Sequence, residues 1–150
     1  MEKDETFMEQ AIHLAIEGVM GNKGGPFGAI VVKDGKIIGR GNNSVTSTDD
    51  PTAHAEVMAI REACKNLKSF QLNGCVLYTS CEPCPMCLGA IYWSRLDVVY
   101  YSASRHMASH HGFDDSFIYN EVNLPFDQRK IPFLQVAGEK GDIPFREWEK

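Results

Sequence analysis

The chain has 150 residues, of which 43% are hydrophobic and 23% charged, and its formal net charge is −5. These values are typical of one globular domain with a core of its own. No apolar run approaches the ~18 residues that cross a membrane, the polar N-terminus predicts neither a signal nor a transit peptide, and the negative charge disfavours a nucleic-acid partner.

The N-terminal part of the chain predicts a helix, a hairpin and a second helix. Apolar residues at helical spacing span residues 6 to about 19. Asp34-Gly35 is a strong turn signal between two strands, Phe27–Lys33 and Lys36–Arg40. A polar loop follows, and PTAHAEVMAIREAC then begins a helix that we expect to end at about residue 67.

The middle of the chain predicts a strand, a helix and a further strand, at Cys75–Thr79, about Pro83–Ser94 and Asp97–Tyr101. This spacing is typical of a right-handed parallel crossover. Together with the first hairpin and helix, it predicts a three-layer α/β/α fold in which helices cover both faces of a mixed sheet.

The structural signals weaken after residue 102. Residues 113–120 predict a short helix, Ile131–Val136 a fifth strand or an extended arm, and the tail FREWEK one helical turn. No linker divides the chain. We therefore expect a single domain over residues 1–150, whose part from about residue 103 onward is the least defined.

The chain contains five cysteines, three of them within seven residues, and the odd count argues against a disulfide scaffold. We expect reduced thiols in a cytoplasmic protein, some of them holding a metal. Cys81 lies outside the metal-binding spacing described next, so we expect it to pack and not to ligate. We interpret His106, His110 and His111 as part of a polar loop, although three histidines also suggest a second metal site.

The helix after the polar loop opens on a histidine and a glutamate that are not neighbours on its surface. His54 and Glu56 are two residues apart, which places them roughly 200° apart around a helix. A lone histidine at a helix start is usually a capping or packing residue. A glutamate in the first turn usually interacts favourably with the positive end of the helix dipole. The occurrence of both residues together indicates a role that capping, packing and the helix dipole do not explain.

A second predicted helix start carries two cysteines. In PCPMC, Cys84 and Cys87 are three residues apart and lie on one face of the first turn. The partial positive charge of a helix N-terminus lowers the pKa of a cysteine and favours the thiolate, which is the form that binds zinc. A redox pair is the alternative interpretation of this C-x-x-C motif.

If the two helices direct their N-termini to a common place, one zinc ion can be bound there by three ligands, His54, Cys84 and Cys87. Three protein ligands leave the fourth position of a tetrahedral zinc to water, which is typical of a catalytic site. Glu56 beside that water can take its proton and pass it on. The pattern H-x-E followed by P-C-x-x-C is the signature of zinc deaminases that act on nucleobases.

On PTAHAEVMAIREAC and LYTSCEPCPMCLGAIYWSR, the chain is identified as a member of the cytidine deaminase-like superfamily. The resemblance spans the first helix to the fourth predicted strand. It implies a five-stranded α/β/α fold, zinc as the cofactor, His54, Cys84 and Cys87 as its ligands, and Glu56 as the proton shuttle. It also implies a homodimer, with a C-terminal segment exchanged between subunits as one arrangement.

Two branches of the superfamily compete. The stretch from GGPFGAIVV to PTAHAE, and GFDDSFIYNE, resemble bacterial guanine deaminases, which implies zinc-dependent hydrolysis of guanine to xanthine and ammonia. A tRNA adenosine deaminase is the alternative, although that branch is expected to carry basic residues near its C-terminus. Cytosine, guanosine or an aminotriazine are other candidate substrates. A zinc that only stabilises the fold is a third interpretation.

The guanine deaminase pattern also implies two carboxylates at the substrate. The second aspartate of the FDD motif is Asp115, which would assist Glu56 in catalysis, and Asp114 lies beside it in the substrate-binding set. Which of the two carboxylates acts is open at this point. Without the resemblance, both aspartates could equally cap a helix that starts at Ser116.

Four further residues are implied to line the substrate pocket. Asn43 matches a family position that hydrogen-bonds the purine ring, and Asn42 is the alternative. Phe27 lies where an aromatic ring can pack on the base, unless it belongs to the core. Ala55 is small, as a tight pocket requires, and Trp93 belongs to an aromatic pair that the tRNA branch usually lacks.

Overall fold

A mixed four-stranded sheet forms the centre of the first of two units in the computed structural model, which describes residues 2–150. This unit ends at Asp115. Its strands are β1 (Gly28–Lys33), β2 (Lys36–Asn42), β3 (Cys75–Cys81) and β4 (Val98–Ala103). Its helices are α1 (Glu2–Met20), α2 (Val45–Thr48), α3 (Ala55–Leu67), α4 (Pro85–Ser94) and α5 (Arg105–His110).

The strand order is β2-β1-β3-β4. Strand β1 is antiparallel to both β2 and β3, whereas β3 and β4 are parallel and are joined through α4. The predicted hairpin and the predicted parallel crossover are thus both confirmed. The hairpin turns at Asp34 and Gly35, whose φ angles of 49° and 76° are the left-handed values that a tight two-residue turn needs.

Helices cover both faces of the sheet, which confirms the predicted three layers. On one face Ile30, Val32 and Tyr78 pack against Ala11 of α1. On the other face, buried residues of the sheet pack against α3 and α4; this cluster contains Ala29, Val31, Leu77, Ala55, Ala59, Ala63 and Ile91. Because alternate residues of β1 point to opposite faces, one strand serves both cores.

Helix α3 lies unusually close to the sheet because β2 presents glycines to it. A Cβ atom on Gly41 would lie 2.3 Å from the carbonyl oxygen of Ala55, and one on Gly39 would lie 2.4 Å from that of Ala59. The facing helix residues are themselves alanines. Backbone therefore packs on backbone here, and this contact fixes where α3 begins relative to the sheet.

The second unit, Ser116–Lys150, consists of short elements. It contains α6 (Ser116–Val122), α7 (Ile143–Trp148) and two 3₁₀ turns, Phe126–Gln128 and Lys140–Asp142. Among residues 116–150, all of which the structure describes, none is buried. The predicted turn in the tail is present as α7, and the helix predicted over 113–120 begins later, at Ser116.

The expected fifth strand is wrong for this structure: Ile131–Val136 forms no strand among the described residues, and the sheet has four strands. The segment is exposed and has no regular secondary structure. Its content of apolar residues is typical of a strand, but Pro132 has no N–H to donate to a ladder. A strand also needs a neighbour, and apolar content alone does not supply one.

Two helices lie where the sequence predicted loops. Val45–Thr48 forms α2 within the polar loop before α3, and Arg105–His110 forms α5 directly after β4. The hydroxyl of Ser104 caps α5 by accepting a hydrogen bond from the N–H of Met107, at 3.1 Å. The histidines at 106 and 110 therefore lie on a helix and not in a loop. Among residues 2–150, no helix is long and apolar enough to cross a membrane.

Candidate active site

Two helices begin at the same place in the first unit. His54 is the N-cap residue of α3, and Cys84 is the N-cap residue of α4, with Pro85 in the first helical turn. A proline is tolerated there because the missing N–H has no partner within the helix in any case. Both helices thus direct the positive ends of their dipoles toward one small region.

The side chains of His54, Cys84 and Cys87 converge in this region. The Nδ1 atom of His54 lies 3.5 Å from the Sγ atom of Cys84 and 3.5 Å from that of Cys87. All three potential ligand atoms lie within 4.8 Å of one another. Among residues 2–150, this is the group of three or more His, Cys, Asp or Glu side chains that could hold a metal ion.

The spacing of these atoms fits a zinc ion. Zn–S bonds of about 2.3 Å and Zn–N bonds of about 2.0–2.1 Å at a tetrahedral angle place nitrogen and sulfur roughly 3.6 Å apart. The two observed N···S distances of 3.5 Å match that value. One nitrogen and two sulfur atoms are also a ligand set that zinc accepts in catalytic sites.

The two cysteines share one proton in a way that a cation can replace. A hydrogen bond from the Cys87 thiol is the largest cause that lowers the pKa of Cys84; burial opposes this shift, and a hydrogen bond from His54 adds to it. The same contact raises the pKa of Cys87, because Cys87 is the donor. Cys84 is therefore a thiolate at neutral pH, and a divalent cation can replace the proton that the two sulfurs share.

Glu56 lies beside this group, on the first turn of α3. Its side chain is buried, with the residue only 6% exposed. Burial is the largest cause that raises its pKa, and the negative charge at Cys84 raises it further. A carboxyl group whose pKa is moved toward neutrality can both take and give a proton, which is the property that a proton shuttle needs.

Asn43 is held in a fixed orientation after β2. It is buried, and its Oδ1 atom accepts hydrogen bonds from the backbone N–H groups of Gly25, at 3.3 Å, and Val45, at 3.1 Å. Its own N–H donates to the carbonyl of Phe27. Because Oδ1 already accepts these two hydrogen bonds, the side-chain amide nitrogen is the group that can donate to another molecule. The neighbouring Asn42 instead donates from Nδ2 to the carbonyl of Leu14 on α1.

Phe27 is half-buried and packs edge-on against Phe113. The ring centroids are 5.1 Å apart and the planes meet at 89°. Phe27 also packs against the core cluster, as the alternative interpretation from the sequence expects. Phe113 was not singled out from the sequence, although it opens the FDD motif. Ala55 is fully buried at the start of α3.

The two aspartates of the FDD motif differ in environment. Asp114 is exposed and Asp115 is half-buried. Burial raises the pKa of Asp115, Arg105 opposes this shift, and the charge of Cys84 adds to it. Asp115 therefore senses the charge of Cys84 and is less exposed than Asp114.

Trp93 and Cys81 lie in places that the motif alone does not reveal. Trp93 is near the C-terminal end of α4 and is 80% exposed, whereas Cys87 is in the first turn of that helix. Cys81 is buried, and its Sγ atom lies 4.0 Å from the carbonyl of Ser104. Burial raises the pKa of Cys81 to about 11, so it is a protonated packing residue at neutral pH.

Glu82 is a further residue that the sequence reasoning missed. Its Oε1 atom accepts a hydrogen bond from the N–H of Arg105 at 3.1 Å, and its own N–H donates to the carbonyl of Ala103. These contacts tie the cysteine-bearing loop to the start of α5. The only sequence signal for this role is its place between β3 and the motif.

Comparison with known proteins supports this interpretation of the site. Residues 1–103 match the family model described as the cytidine and deoxycytidylate deaminase zinc-binding region. The chain is 58% identical to the guanine deaminase of Bacillus subtilis (strain 168) over 144 residues, which are 96% of this chain and 92% of that protein. It is 53% identical to the tRNA-specific adenosine deaminase of Aquifex aeolicus (strain VF5) over 78 residues, 52% of each protein.

The X-ray structure of the guanine deaminase from Bacillus subtilis resembles this structure with a TM-score of 0.95 and 58% identity. The match covers 97% of this chain and 92% of that chain. The family match includes both helix starts that carry His54, Glu56, Cys84 and Cys87. The chain therefore belongs to the cytidine and deoxycytidylate deaminase zinc-binding family.

Proposed function

We propose that this protein is a guanine deaminase that hydrolyses guanine to xanthine and ammonia. The observation that carries the proposal is the extent of similarity. The relative that acts on guanine is 58% identical over 96% of the chain, whereas the tRNA-specific relatives match between 52% and 77% of the chain at 40–53% identity. The similarity to the guanine relative thus extends beyond residues 1–103, which match the zinc-binding family model.

In this proposal His54, Cys84 and Cys87 hold the zinc ion. A zinc ion held there would lower the pKa of a bound water molecule to about 7, so that a nucleophile would be available at neutral pH. The thiolate character of Cys84 and the 3.5 Å distances from His54 support this ligand set. Cys81, protonated and buried, is not a member of it.

Glu56 moves the protons. Its carboxylate accepts one proton from the attacking water as oxygen bonds to C2 of guanine, and it delivers that proton to the ring nitrogen N3. Glu56 then takes the remaining water proton from the oxygen bonded to C2 and transfers it to the amino group. The C2–N bond breaks, and ammonia leaves. Water and guanine are consumed, xanthine and ammonia are released, and Glu56 ends unprotonated. Its burial and raised pKa suit both transfers.

The purine is held by groups around the zinc site. The side-chain amide nitrogen of Asn43 donates to an acceptor on the purine, since its Oδ1 atom is already used by Gly25 and Val45. Phe27, supported edge-on by Phe113, packs on the base, a contact that is worth roughly 1–3 kcal/mol. Ala55 has no side chain beyond Cβ and leaves room for the ring.

Asp115 accepts hydrogen bonds from the donors that distinguish guanine, and it assists Glu56 in protonating the leaving amino group. Guanine presents an N1–H and a 2-amino group, and a carboxylate accepts hydrogen bonds from both. The half-buried position of Asp115 and its coupling to Cys84 favour it over the exposed Asp114 for this role. We assign Asp114 and Trp93 secondary places in the substrate-binding set.

Ammonia release from separate substrates tests the proposal. The zinc-loaded protein is incubated with guanine and, in parallel, with an anticodon stem-loop of tRNA, with cytosine, adenine, guanosine and an aminotriazine as further substrates. We expect guanine to be converted to xanthine far faster than any other ring. Deamination of the stem-loop without guanine turnover would establish the tRNA interpretation instead, and a metal-dependent fold without turnover of any ring would establish a structural zinc.

We further propose that the protein is a homodimer, in which the second unit packs against, or is exchanged with, a partner subunit. The large apolar side chains of this unit are mostly exposed, among them Phe117, Phe133, Leu134, Phe145 and Trp148. Exposed apolar surface of this extent indicates an interaction site. Our proposal of a cytoplasmic location rests on the five free cysteines, which a reducing compartment maintains.

A further inference from the structure

Two histidines form a close pair on α5, outside the candidate active site. His106 and His110 are four residues apart on this helix, so their side chains share one face. Their Nε2 atoms are 3.1 Å apart, and their rings meet at 88° with centroids 4.6 Å apart. Both residues are exposed, so neither ring is held in place by burial in the core.

The separation of the two nitrogens fits a shared metal ion. Two imidazole nitrogens bound at about 2.0–2.1 Å and separated by the observed distance subtend roughly 95–100° at the ion. That angle lies between the values of about 90° for octahedral or square-planar geometry and about 109° for tetrahedral geometry. The same pair can also form an ordinary hydrogen bond in which one Nε2–H donates to the other Nε2.

We propose that His106 and His110 form a second, exchangeable binding site for a divalent transition-metal ion, in which water completes the coordination. Imidazole nitrogen suits Ni²⁺, Cu²⁺ and Zn²⁺ and not Mg²⁺ or Ca²⁺. Among the described residues, the group of three or more metal-binding side chains is at the candidate active site and does not include this pair. Two protein ligands therefore bind more weakly than the three at that site.

The proposed site is distinct from the catalytic chemistry but is connected to its loop. Helix α5 starts where the N–H of Arg105 donates to Glu82, which lies two residues before Cys84. An ion bound by residues four apart clamps one turn of this six-residue helix, which is otherwise stabilised at its start by the Ser104 cap. Metal binding here adds a constraint to a short helix that has few of its own.

Calorimetric titration of the zinc-loaded full chain with Ni²⁺ tests the proposal. We expect one equivalent of Ni²⁺ per chain in addition to the resident zinc. His106→Ala and His110→Ala should each weaken this binding by about tenfold or more, a loss of about 1.4 kcal/mol or more of binding free energy. Alanine is the best helix former, so either variant keeps α5 intact.

His111→Ala and His13→Ala are matched controls, because both histidines are exposed and neither belongs to the pair. They should bind Ni²⁺ as the wild type does. With Cu²⁺ as the probe, electron paramagnetic resonance of the zinc-loaded protein should show two coupled imidazole nitrogens. Absence of an added equivalent of Ni²⁺, or unchanged binding in His106→Ala and His110→Ala, would overturn the proposal.

Discussion

Glu56 is the residue on which the proposed chemistry depends, because it combines burial, a raised pKa and a place beside the converging metal ligands. Its neighbour in sequence, His54, has a different task. One side chain moves protons and the other holds the ion, although they are separated by a single residue. Substitutions at these two positions should therefore differ in their effects on zinc content and on turnover.

Glu56→Gln should keep the zinc content of the wild type and lose turnover of guanine by about 10²–10⁴-fold or more, since glutamine has a similar shape but cannot accept the proton. Elemental analysis and steady-state kinetics measure the two effects. His54→Ala is the contrasting variant and should lose both zinc and activity. Near-normal turnover in Glu56→Gln would refute its role as a proton shuttle.

Two substitutions of Asn43 can separate its structural role from its role in substrate binding. Asn43→Asp keeps the oxygen that accepts from Gly25 and Val45 but removes the amide donor, so it should raise KM for guanine while the thermal midpoint stays near that of the wild type. Asn43→Ala loses the two backbone hydrogen bonds as well and should cost about 1–3 kcal/mol of stability. An unchanged KM in Asn43→Asp would limit Asn43 to a structural role.

At the scale of residues, the sequence predicted that His54, Cys84 and Cys87 converge, because short motifs carry them. HAE and CPMC each fix their side chains at a helix start, and the structure places His54 within 3.5 Å of both cysteines. The difference in exposure between Asp114 and Asp115 needed the structure, because neighbouring aspartates in an irregular segment have no sequence signal that tells which one is less exposed. The pairing of Phe113 with Phe27 also depends on tertiary contact.

The contact between β2 and α3 is the element-scale feature that positions the candidate site. Residues 39 and 41 of the strand are glycines that face the backbone of the helix. The helix that starts on this contact carries Glu56 in its first turn and His54 at its cap. Loss of the contact should therefore affect both the stability of the fold and the geometry of the metal ligands.

Gly41→Ala should destabilise the protein by about 1–3 kcal/mol, because the new methyl group would lie 2.3 Å from the carbonyl oxygen of Ala55 and 2.6 Å from the N–H nitrogen of Ala59. Gly89→Ala, on α4, is the matched control. A Cβ atom there meets nothing within 4 Å, and alanine favours a helix by about 1 kcal/mol over glycine. Chemical denaturation should show opposite signs for the two variants; equal effects would contradict this account.

Elements with strong local patterns were predicted well, and those that depend on partners were not. The hairpin follows from Asp34-Gly35, and the crossover follows from the spacing of β3, α4 and β4. Ile131–Val136 was expected as a possible fifth strand, but strand formation requires a neighbouring ladder that the sequence of this segment does not specify. Helix α5 was missed because it is short, and its cap at Ser104 resembles a turn signal.

The whole molecule presents apolar surface on the first unit as well as on the second. Leu88 and Tyr92 lie four residues apart on α4 and are both exposed, and Val98, Tyr100 and Tyr101 are exposed on β4. Among the described residues, β4 pairs with β3 on one side and with no strand on the other. An open strand edge beside apolar surface promotes aggregation unless another element packs against it. We propose that a second subunit packs there.

Light scattering should therefore give a mass twice that of one chain. The double variant Leu88→Ser, Tyr92→Ser should shift the protein toward the monomer, because it removes apolar surface from the proposed interface without touching the core. Phe70→Ser is the control, since Phe70 is 84% exposed in the loop between α3 and β3 and belongs to neither patch. A monomeric wild type would contradict the proposed dimer.

The glycine contact between β2 and α3 also has a consequence for altering which ring the protein accepts. A helix seated backbone to backbone on a strand cannot slide or tilt to admit a larger base without steric clash. Directed evolution toward other aminated heterocycles should therefore gain more from randomising the loop around Asn43 and the residues near Phe113 than from randomising α3. Selected variants with enlarged substrate range should carry their substitutions in those loops.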